Sequence, residues 1–488
     1  MRDLFPVLRV LGLLLVFFAL SMNVPLAAAW FLQDGMWQVW AQAMGCTVAL
    51  GLAMWLLMRR YKQELHPRHG VILVSLVWLC LPLSAALPLI LGYQQMGQSL
   101  SFTHAYFEAV SGLTTAGSSV LSGLDRLPIS LNIWRTFLQW IGGMGILILA
   151  VAIMPLLGVG GSQLFRAEAA GPVKDTKLTP RITGTAKGLW GVYAVFSLSC
   201  FGAFWLGGMQ PLDALMHMFT TVSLGGLSSH DASFGHFQSP LLEALAFFFM
   251  VAASCNFALY FIAMRKGNWR GFWQDPEMRA TVVVLLGGSL LVALLLWAKG
   301  VYGPWDAVRY GFFNTVSVAT TTGFATTDYL AWPVFAPVFM LILSGMATSA
   351  GSTGGGIKMM RMLILFSQAR RELTRLVHPR AVQPVVLAGR VVDNRMIFAV
   401  LAFMLVYGGT IVLLSMLLML TDLEPITAVS AVIASVHCLG PGLGAIGPAS
   451  TYAVLTDFQV WVCTLGMLLG RLEILSFLAL LTPAFWRR

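Results

Sequence analysis

Four short segments rich in glycine, threonine and serine stand at similar intervals along the 488-residue chain. The four segments are Leu113-Thr-Thr-Ala-Gly117, Val222-Ser-Leu-Gly-Gly226, Ala319-Thr-Thr-Thr-Gly323 and Val436-His-Cys-Leu-Gly440. Their chemistry needs no charged side chain, because rings of backbone carbonyls can replace the hydration shell of a cation. Glycine suits this task, since carbonyls that all point inward need backbone angles that a Cβ obstructs. We therefore predict a cation pathway lined by backbone oxygens.

Each segment belongs to a larger unit with the same layout: an apolar span, a short amphipathic stretch, the glycine-containing loop and a second apolar span. The short stretches are about a dozen residues long, which is too short to cross a bilayer, so we predict re-entrant helices. Non-helical backbone is tolerated at membrane depth only where protein buries it or where it lines a watery cavity. Four such loops in one chain favour convergence on one axis over four unrelated helix connections.

The composition agrees with this layout, because 58% of the residues are hydrophobic and only 10% are charged. That is too few charges to coat a water-facing surface. Spans of ~20 residues predict about ten membrane helices and an all-α polytopic membrane protein. We predict two N-terminal helices in residues 1–70, followed by four repeats with one pore loop each. The repeats cover 71–165, 166–270, 271–378 and 379–488, with pore loops at 101–119, 211–231, 305–328 and 424–444.

Lysine and arginine cluster in alternate connections between the apolar runs. The clusters are Arg59, Arg60, Lys62 and Arg68; Arg166, Lys174, Lys177, Arg181 and Lys187; Arg265, Lys266, Arg270 and Arg279; and the basic residues of 361–395. The positive-inside rule places these clusters and both termini in the cytoplasm. The net charge of +10 therefore indicates topology and not nucleic-acid binding. Residues 361–395 are the predicted docking surface for a cytosolic partner, or alternatively for anionic lipid.

A glycine-rich stretch interrupts the second apolar run of the third repeat, at 349–358. Because each glycine costs ~1 kcal/mol relative to alanine in a helix, the run must break there. A nucleotide-binding loop is excluded, since Ile357 separates Gly356 from Lys358. We predict a hinge below the rings of carbonyls, which form the filter of the pathway, and this hinge blocks or clears the pore. A flexible break without a role is the alternative. The predicted gating residues are Gly351, Ser352, Thr353, Gly354, Gly355, Gly356, Lys358 and, from the last apolar run, Arg471.

An arginine at mid-bilayer costs at least ~2.5 kcal/mol, so Arg471 should face the pore or an acid. We predict that it faces the cavity below the filter and raises a barrier to cations; a packing or snorkelling arginine is the alternative. Glu108 either anchors the first short helix behind the filter or only packs there. Asp231 and Asp328 either form an acidic vestibule or bond loop amides.

No paired carboxylates, Ser/His/Asp set, metal-spaced His/Cys pattern or dinucleotide motif is present. We therefore predict that the chain is no enzyme and holds no organic cofactor.

Further motifs join the four loops: Gly351-Ser-Thr-Gly-Gly-Gly-Ile-Lys358, Leu439-Gly-Pro-Gly-Leu-Gly444 and Gly470-Arg-Leu-Glu473. Together they resemble the TrkH/TrkG/KtrB superfamily of potassium-translocating subunits, closest to its TrkH branch, over nearly the full length. The resemblance implies four helix–pore-loop–helix repeats around one pore that takes up K+, and Rb+ with it, by channel-like conduction. It implies filter glycines and carbonyl ligands at Thr115, Ala116, Gly117, Leu224, Gly225, Gly226, Thr321, Thr322, Gly323, Cys438, Leu439 and Gly440.

The resemblance further implies a homodimer in a bacterial cytoplasmic (inner) membrane, paired with a cytosolic nucleotide-binding regulatory subunit like TrkA. The sequence departs from the family at His437-Cys438, where asparagine-rich sequence is general, and His437 either bonds behind the filter or tunes the pore by its charge. The rival interpretation is an ion-coupled secondary transporter with alternating access. Such transporters usually contain inverted twofold repeats, whereas the units here are parallel and fourfold.

Overall fold

The computed structural model describes residues 4–61, 67–148, 182–387, 389–472 and 474–486. Several residues of the predicted basic clusters, of the two basic termini and of the last motif lie outside this part of the chain. They are Arg2, Lys62, Arg166, Lys174, Lys177, Arg181, Glu473, Arg487 and Arg488.

Long apolar helices make up most of the described chain. Six of them are long and apolar enough to cross a membrane, and a bent pair makes up to seven. Those six spans lie in α1 (Phe5–Ser21) with α2 (Asn23–Leu32), α3 (Trp37–Met58), α4 (Pro67–Gln95), α7 (Ile182–Leu206), α12 (Pro276–Ala298) and α16 (Asn394–Met419). The bent pair is α9 (Pro240–Ala253) and α10 (Phe257–Lys266), which meet at 88°.

Shorter helices occupy the sequence positions of the remaining predicted spans. They are α6 (Ile129–Ile148), α14 (Phe335–Ser344) with α15 (Met359–Val377), and α18 (Asp457–Arg471) with α19 (Ile474–Leu481). Two small helices, α11 (Arg270–Gln274) and α20 (Pro483–Trp486), complete the helical set. The described part of the chain contains a single antiparallel β-pair, β1 (Val386–Leu387) with β2 (Arg390–Val391), in which Val386 pairs with Val391.

Four short helices stand between the long ones, one in each predicted pore loop. They are α5 (Phe102–Leu113), α8 (Pro211–Val222), α13 (Pro304–Ala319) and α17 (Pro425–His437). Proline occupies the first turn of α8, α13 and α17, where its missing N–H is not needed. The C-terminal turns of these four helices are buried, although they carry threonine, serine and other polar residues. Short buried helices that end inside the protein place backbone carbonyls at its centre.

The break in the third repeat spans residues 345–358, between the end of α14 and the start of α15. The Ile357 amide donates to the Gly345 carbonyl at 2.7 Å and the Met359 amide to that of Thr348 at 2.8 Å, so the segment folds back on itself. The amide of Phe257 donates to the Gly351 carbonyl at 3.1 Å, which places the bend between α9 and α10 against this segment. The chain thus has an irregular, hydrogen-bonded layer in its interior.

Candidate ion-binding site

All four short helices end in the same backbone motif. In the first, the amide of Thr115 donates to the Gly112 carbonyl at 3.1 Å, and the amide of Ala116 donates to that of Ser111 at 2.9 Å. This pair of bonds defines a Schellman motif, whose C′ residue adopts the left-handed conformation. The equivalent C″ bonds join Gly225 to Thr220, Thr322 to Ser317 and Leu439 to Ala434, each at 2.8 Å.

The left-handed residue of each motif is not the usual glycine. The four C′ residues and their φ angles are Thr115 at 56°, Leu224 at 53°, Thr321 at 60° and Cys438 at 53°. Side chains in this region are strained, and such strain persists only where the surrounding structure enforces it. Two residues later each loop has a second positive φ, at Gly117, Gly226, Gly323 and Gly440, with angles of 75°, 74°, 88° and 98°. Positive and negative φ thus alternate identically four times, which turns successive carbonyls toward one side.

The four loops contact one another in a closed ring, here called the filter ring: residues 115–117, 224–226, 321–323 and 438–440. A Cβ added to Gly117 would collide with the Gly225 carbonyl, and one at Gly226 with that of Thr322. A Cβ at Gly323 would collide with the Leu439 carbonyl, and one at Gly440 would lie 3.2 Å from the Ala116 oxygen. Each loop therefore packs on the next in chain order, and the fourth returns to the first. Glycine is needed here for close approach as well as for its φ angle.

A polar side chain braces every loop from behind, at nearly the same position in each short helix. Glu108, His217 and Asn314 lie nine residues before their filter glycines, and Ser430 lies ten before its own. His217 Nε2 lies 3.0 Å from Ser228 Oγ, and the amide of Thr326 donates to Asn314 Oδ1 at 3.1 Å. The Leu443 amide donates to Ser430 Oγ at 2.9 Å. These braces hold the segment two or three residues beyond each glycine.

The brace of the first loop is a buried ion pair. Arg135 Nε donates to Glu108 Oε1 at 2.8 Å, and both side chains are at most 1% exposed. Glu108 also accepts from the Val120 amide at 3.1 Å, and Arg135 Nη1 donates to the Ser228 carbonyl at 3.3 Å. A buried charge left without its partner is strongly destabilising. The pair therefore ties the first loop to the second. This contact agrees with the alternative in which Glu108 anchors the first short helix behind the filter.

Departures from fourfold symmetry occur at two carbonyls of the filter ring. The Gly225 carbonyl, a predicted ligand, accepts a hydrogen bond from Gln139 Nε2 at 2.7 Å. The Gly440 carbonyl accepts from Tyr452 Oη at 2.9 Å and from Ser118 Oγ at 3.1 Å. A carbonyl oxygen has two lone pairs, so the Gly225 oxygen can still accept from one further partner besides Gln139.

Three further residues singled out from the sequence bond within the protein. His437 Nδ1 lies 2.7 Å from Ser344 Oγ, and its ring stacks on Tyr407, so this histidine is bonded behind the filter. Asp231 accepts from the Leu124 amide at 3.2 Å. Asp328 accepts from the Leu330 amide at 3.0 Å. Both aspartates thus bond loop amides, and Asp231 also lines the outer cavity described below.

The glycine-rich segment 351–356 lies directly against one side of the filter ring, here called its inner side. Thr353 Oγ1 donates to the Val222 carbonyl at the end of α8 at 3.1 Å. The Gly355 amide donates to Thr321 Oγ1 at 2.9 Å, and a Cβ at Gly355 would collide with the His437 carbonyl. The segment thus contacts the C-terminal ends of α8, α13 and α17.

Arg471 connects this segment to the first repeat. Its Nη1 donates to the Thr353 carbonyl and its Nη2 to the Gly142 carbonyl, each at 3.1 Å. The arginine is 4% exposed, and Lys358 Nζ donates to the Gly354 carbonyl. The guanidinium therefore bonds α6 and the glycine-rich segment at once, which is a role for Arg471 that its position in the sequence does not reveal.

An open cavity lies on the outer side of the filter ring, opposite the glycine-rich segment. It is lined by all four filter glycines and, at its wall, by Asp231 and His230. His230 Nδ1 lies 2.5 Å from Asp125 Oδ1, which lowers the pKa of that carboxyl. Burial alone would lower the pKa of His230, but the Asp213 and Asp125 carboxylates beside its ring raise it above the ordinary value. No local pattern in the sequence points to this cluster, because Asp125 and His230 are 105 residues apart.

The chain is similar to known proteins over nearly its whole length. The model of the TrkH family, described as "Cation transport protein", matches residues 37–487. The chain is 43% identical over 484 residues to the "Trk system potassium uptake protein TrkH" of Vibrio parahaemolyticus, covering 99% of each. It is 34% identical over 476 residues to the Trk system potassium uptake protein TrkG of Escherichia coli K12, covering 98% of this chain and 97% of TrkG.

A solved structure is also similar to the chain. The crystal structure of the potassium transporter TrkH from Vibrio parahaemolyticus superposes with a TM-score of 0.91 at 40% identity. The alignment covers 100% of this chain and 99% of that one. These findings confirm the resemblance drawn from the motifs and the predicted all-α polytopic membrane fold.

Proposed function

Because the chain belongs to the TrkH family of cation transport proteins, we propose that it is a potassium uptake subunit that conducts K+ through the filter ring. One observation carries the proposal. The same alternating backbone conformation occurs in all four loops, and these loops contact one another in a closed ring. That arrangement presents stacked carbonyls to a single axis without any charged side chain, which suits a monovalent cation.

The carbonyls of the two residues before each filter glycine are the proposed K+ ligands: Thr115 and Ala116, Leu224 and Gly225, Thr321 and Thr322, Cys438 and Leu439. Two further features favour a cation. The C-terminal ends of α5, α8, α13 and α17 direct partial negative charge toward the ring. The Schellman bonds engage carbonyls inside each helix, such as those of Ser111 and Gly112, and not those of the two residues before each filter glycine.

Gating is the proposed role of the glycine-rich segment 351–356 together with Lys358 and Arg471. The segment lies against the inner side of the filter ring, so conduction requires that it move. Arg471 holds it by the Thr353 carbonyl, and its charge adds a barrier to cations at the same place. Glycine at positions with φ of 76° and 81°, Gly351 and Gly356, gives the segment hinge points at both ends.

We place the protein in a bacterial cytoplasmic membrane as a homodimer with a cytosolic nucleotide-binding regulatory subunit. The names of the relatives, which describe a Trk system, support such a partner. The end of α15 offers a surface for it, because Arg370 and Arg375 are exposed beside Leu373 and Leu376, which are 64% and 80% exposed. Exposed leucine next to arginine suits a protein partner better than water alone.

Flux through the purified, reconstituted chain tests the proposal. Influx of K+, Rb+, Na+ and Li+ is measured in proteoliposomes, with protein-free vesicles as the control. We expect K+ and Rb+ to enter faster than Na+ and Li+. Single-channel recording then separates conduction from alternating access, since a carrier cannot pass a resolved current step. Cation flux without such steps, or no preference for K+ over Li+, would contradict the proposed mechanism.

A further inference from the structure

Three side chains of types that can bind a metal meet outside the filter ring: Asp125, His230 and His236. One ligand atom from each lies within 4.8 Å of the other two. Asp125 belongs to the 3-10 helix Leu124–Arg126 that follows the first loop, whereas the histidines precede and end the 3-10 helix Ser233–His236 after the second. The cluster therefore joins two repeats at the outer mouth of the pore.

The spacing of these atoms is close to that of a metal site. His230 Nδ1 lies 2.5 Å from Asp125 Oδ1, and the rings of His230 and His236 stack with centroids 3.6 Å apart. Ligands at ~2.0–2.2 Å from a tetrahedral Zn2+ are themselves about 3.4 Å apart. His236 is exposed and its ring packs on His230 and Phe237, so a turn of this side chain would direct a nitrogen toward an ion held between Asp125 and His230. A bound ion would require the Asp125 and His230 atoms to separate from 2.5 Å to about 3.4 Å and the His236 ring to turn.

The other nitrogen of His230 already faces a carboxylate. Its Nε2 lies 3.2 Å from Asp213 Oδ1, and Asp213 is itself fixed by a hydrogen bond from Ser229 Oγ at 2.8 Å. Histidines that bind metals usually donate their second N–H to a carboxylate, which fixes the ring and strengthens the ligand. Asp213 is placed for that supporting role. A simple ion pair between Asp125 and His230 would need neither Asp213 nor His236.

We propose that Asp125, His230 and His236 bind a divalent transition-metal ion of the Zn2+ class, and that the bound ion slows cation entry into the pore. His230 lines the same outer cavity as the four filter glycines, so the ion sits at the wall of the entrance. Two added positive charges there repel an approaching monovalent cation. The ion also links the first loop to the second, which opposes their movement.

Calorimetric titration of the purified full-length protein with ZnCl2, at about pH 8 so that free histidine is neutral, tests the binding. We expect one ion per chain, and at least about tenfold weaker binding in His236→Gln and in Asp125→Asn. His104→Gln is the matched control, because His104 lies near the start of α5 and outside the cluster; it should bind like the unaltered protein. Equal affinity in His236→Gln and the unaltered protein would overturn the site.

Absorption spectroscopy with Co2+ distinguishes loss of the metal site from misfolding of a variant. Co2+ added to the unaltered protein should give the visible absorption of a tetrahedral site, and His236→Gln should lose it while it elutes normally in gel filtration. Retention of that absorption in His236→Gln would place the metal elsewhere and overturn the assignment.

Flux measurements test the effect on conduction, which rests on the proposed function, whereas the titration does not. Zn2+ outside the vesicles should lower Rb+ influx of the unaltered protein and of His104→Gln by several-fold. His236→Gln should be far less sensitive, each flux being compared with its own zinc-free value. Binding without inhibition would overturn the regulatory part of the proposal. Absence of Rb+ influx even without Zn2+ would instead refute conduction and leave the titration to decide the site.

Discussion

The filter ring and the glycine-rich segment beneath it are built in different ways from the same four repeats. Every repeat contributes one loop to the ring, with the same Schellman motif, the same positive φ angles and a brace at nearly the same position. Only the third repeat contributes residues 351–356, and only the fourth contributes Arg471. In the described part of the chain, the outer layer is therefore nearly symmetric, while the inner layer depends on one long break in the third repeat and one arginine in the fourth.

This difference separates two physical requirements. Stripping water from a spherical ion needs carbonyls on all sides, which four equivalent loops supply. A gate must have two positions, and one segment held by a few hydrogen bonds moves more easily than four segments that lock one another in place. If the proposed function holds, repetition serves ion binding in this molecule and departure from repetition serves gating. Substitutions in the two layers should therefore have opposite effects on flux.

The largest effect is expected from Gly226→Ala in the filter ring. The new Cβ would collide with the Thr322 carbonyl of the next loop, and Gly226 also has a φ of 74°. Since the ring is closed, the displacement of one loop shifts its neighbours, and K+ influx should fall to the level of protein-free vesicles. Influx of Rb+ into proteoliposomes measures this. Gly287→Ala is the control, because a Cβ there meets nothing within 4 Å. Normal influx through Gly226→Ala would show that the ring does not conduct.

The next largest effect, in the opposite direction, is expected from Arg471→Ala. It removes two hydrogen bonds from a charged group, worth about 1.5–3 kcal/mol each, which together tie Thr353 of the glycine-rich segment to Gly142 of α6. Even the loss of one should raise the open fraction by about tenfold, so K+ influx should rise in the absence of any partner.

Arg471→Lys decides between the two ways in which Arg471 can restrict flux. Lysine keeps the positive charge, but it cannot bridge the Thr353 and Gly142 carbonyls with a planar fork. Influx like that of the unaltered protein indicates an electrostatic barrier, whereas influx near that of Arg471→Ala indicates a mechanical hold. Unchanged influx in both variants would remove Arg471 from the gate.

The contrast between the layers also explains what the sequence could predict. The four glycines, the short helices and the broken helix leave local signals, since glycine and helix length act within a few residues. The left-handed angles at Thr115, Leu224, Thr321 and Cys438 leave none, because the neighbouring loops that enforce them are about a hundred residues away. The same holds for the contact between Arg471 and Thr353 and for the 88° bend between α9 and α10. Long-range contacts decide these features, and local propensity does not.

A moderate effect is expected from Asn314→Ala, which removes the brace of the third loop. The Thr326 amide and hydroxyl would lose their partner, at a cost of ~1–3 kcal/mol. The three remaining braces still hold the ring, so influx should persist while the preference for K+ over Na+ falls by several-fold. Competition of Na+ with Rb+ influx measures this preference. Asn268→Ala, which alters a loop cap at Arg270, is the control and should leave it unchanged. An intact preference in Asn314→Ala would mean that the ring needs no brace there.

The smallest effect concerns the asymmetry within the ring itself. Gln139 donates to the Gly225 carbonyl through Nε2 and accepts from the Leu227 amide through Oε1. Gln139→Met removes the donor and the acceptor while it keeps the length of the side chain. Loss of the donor returns one lone pair of Gly225 to the pore, so ion binding should strengthen slightly, by no more than about tenfold. The Rb+ concentration at half-maximal influx should fall accordingly. If it rises instead, Gln139 orients the carbonyl toward the ion, and the second loop then depends on a side chain from the first repeat to match the other three.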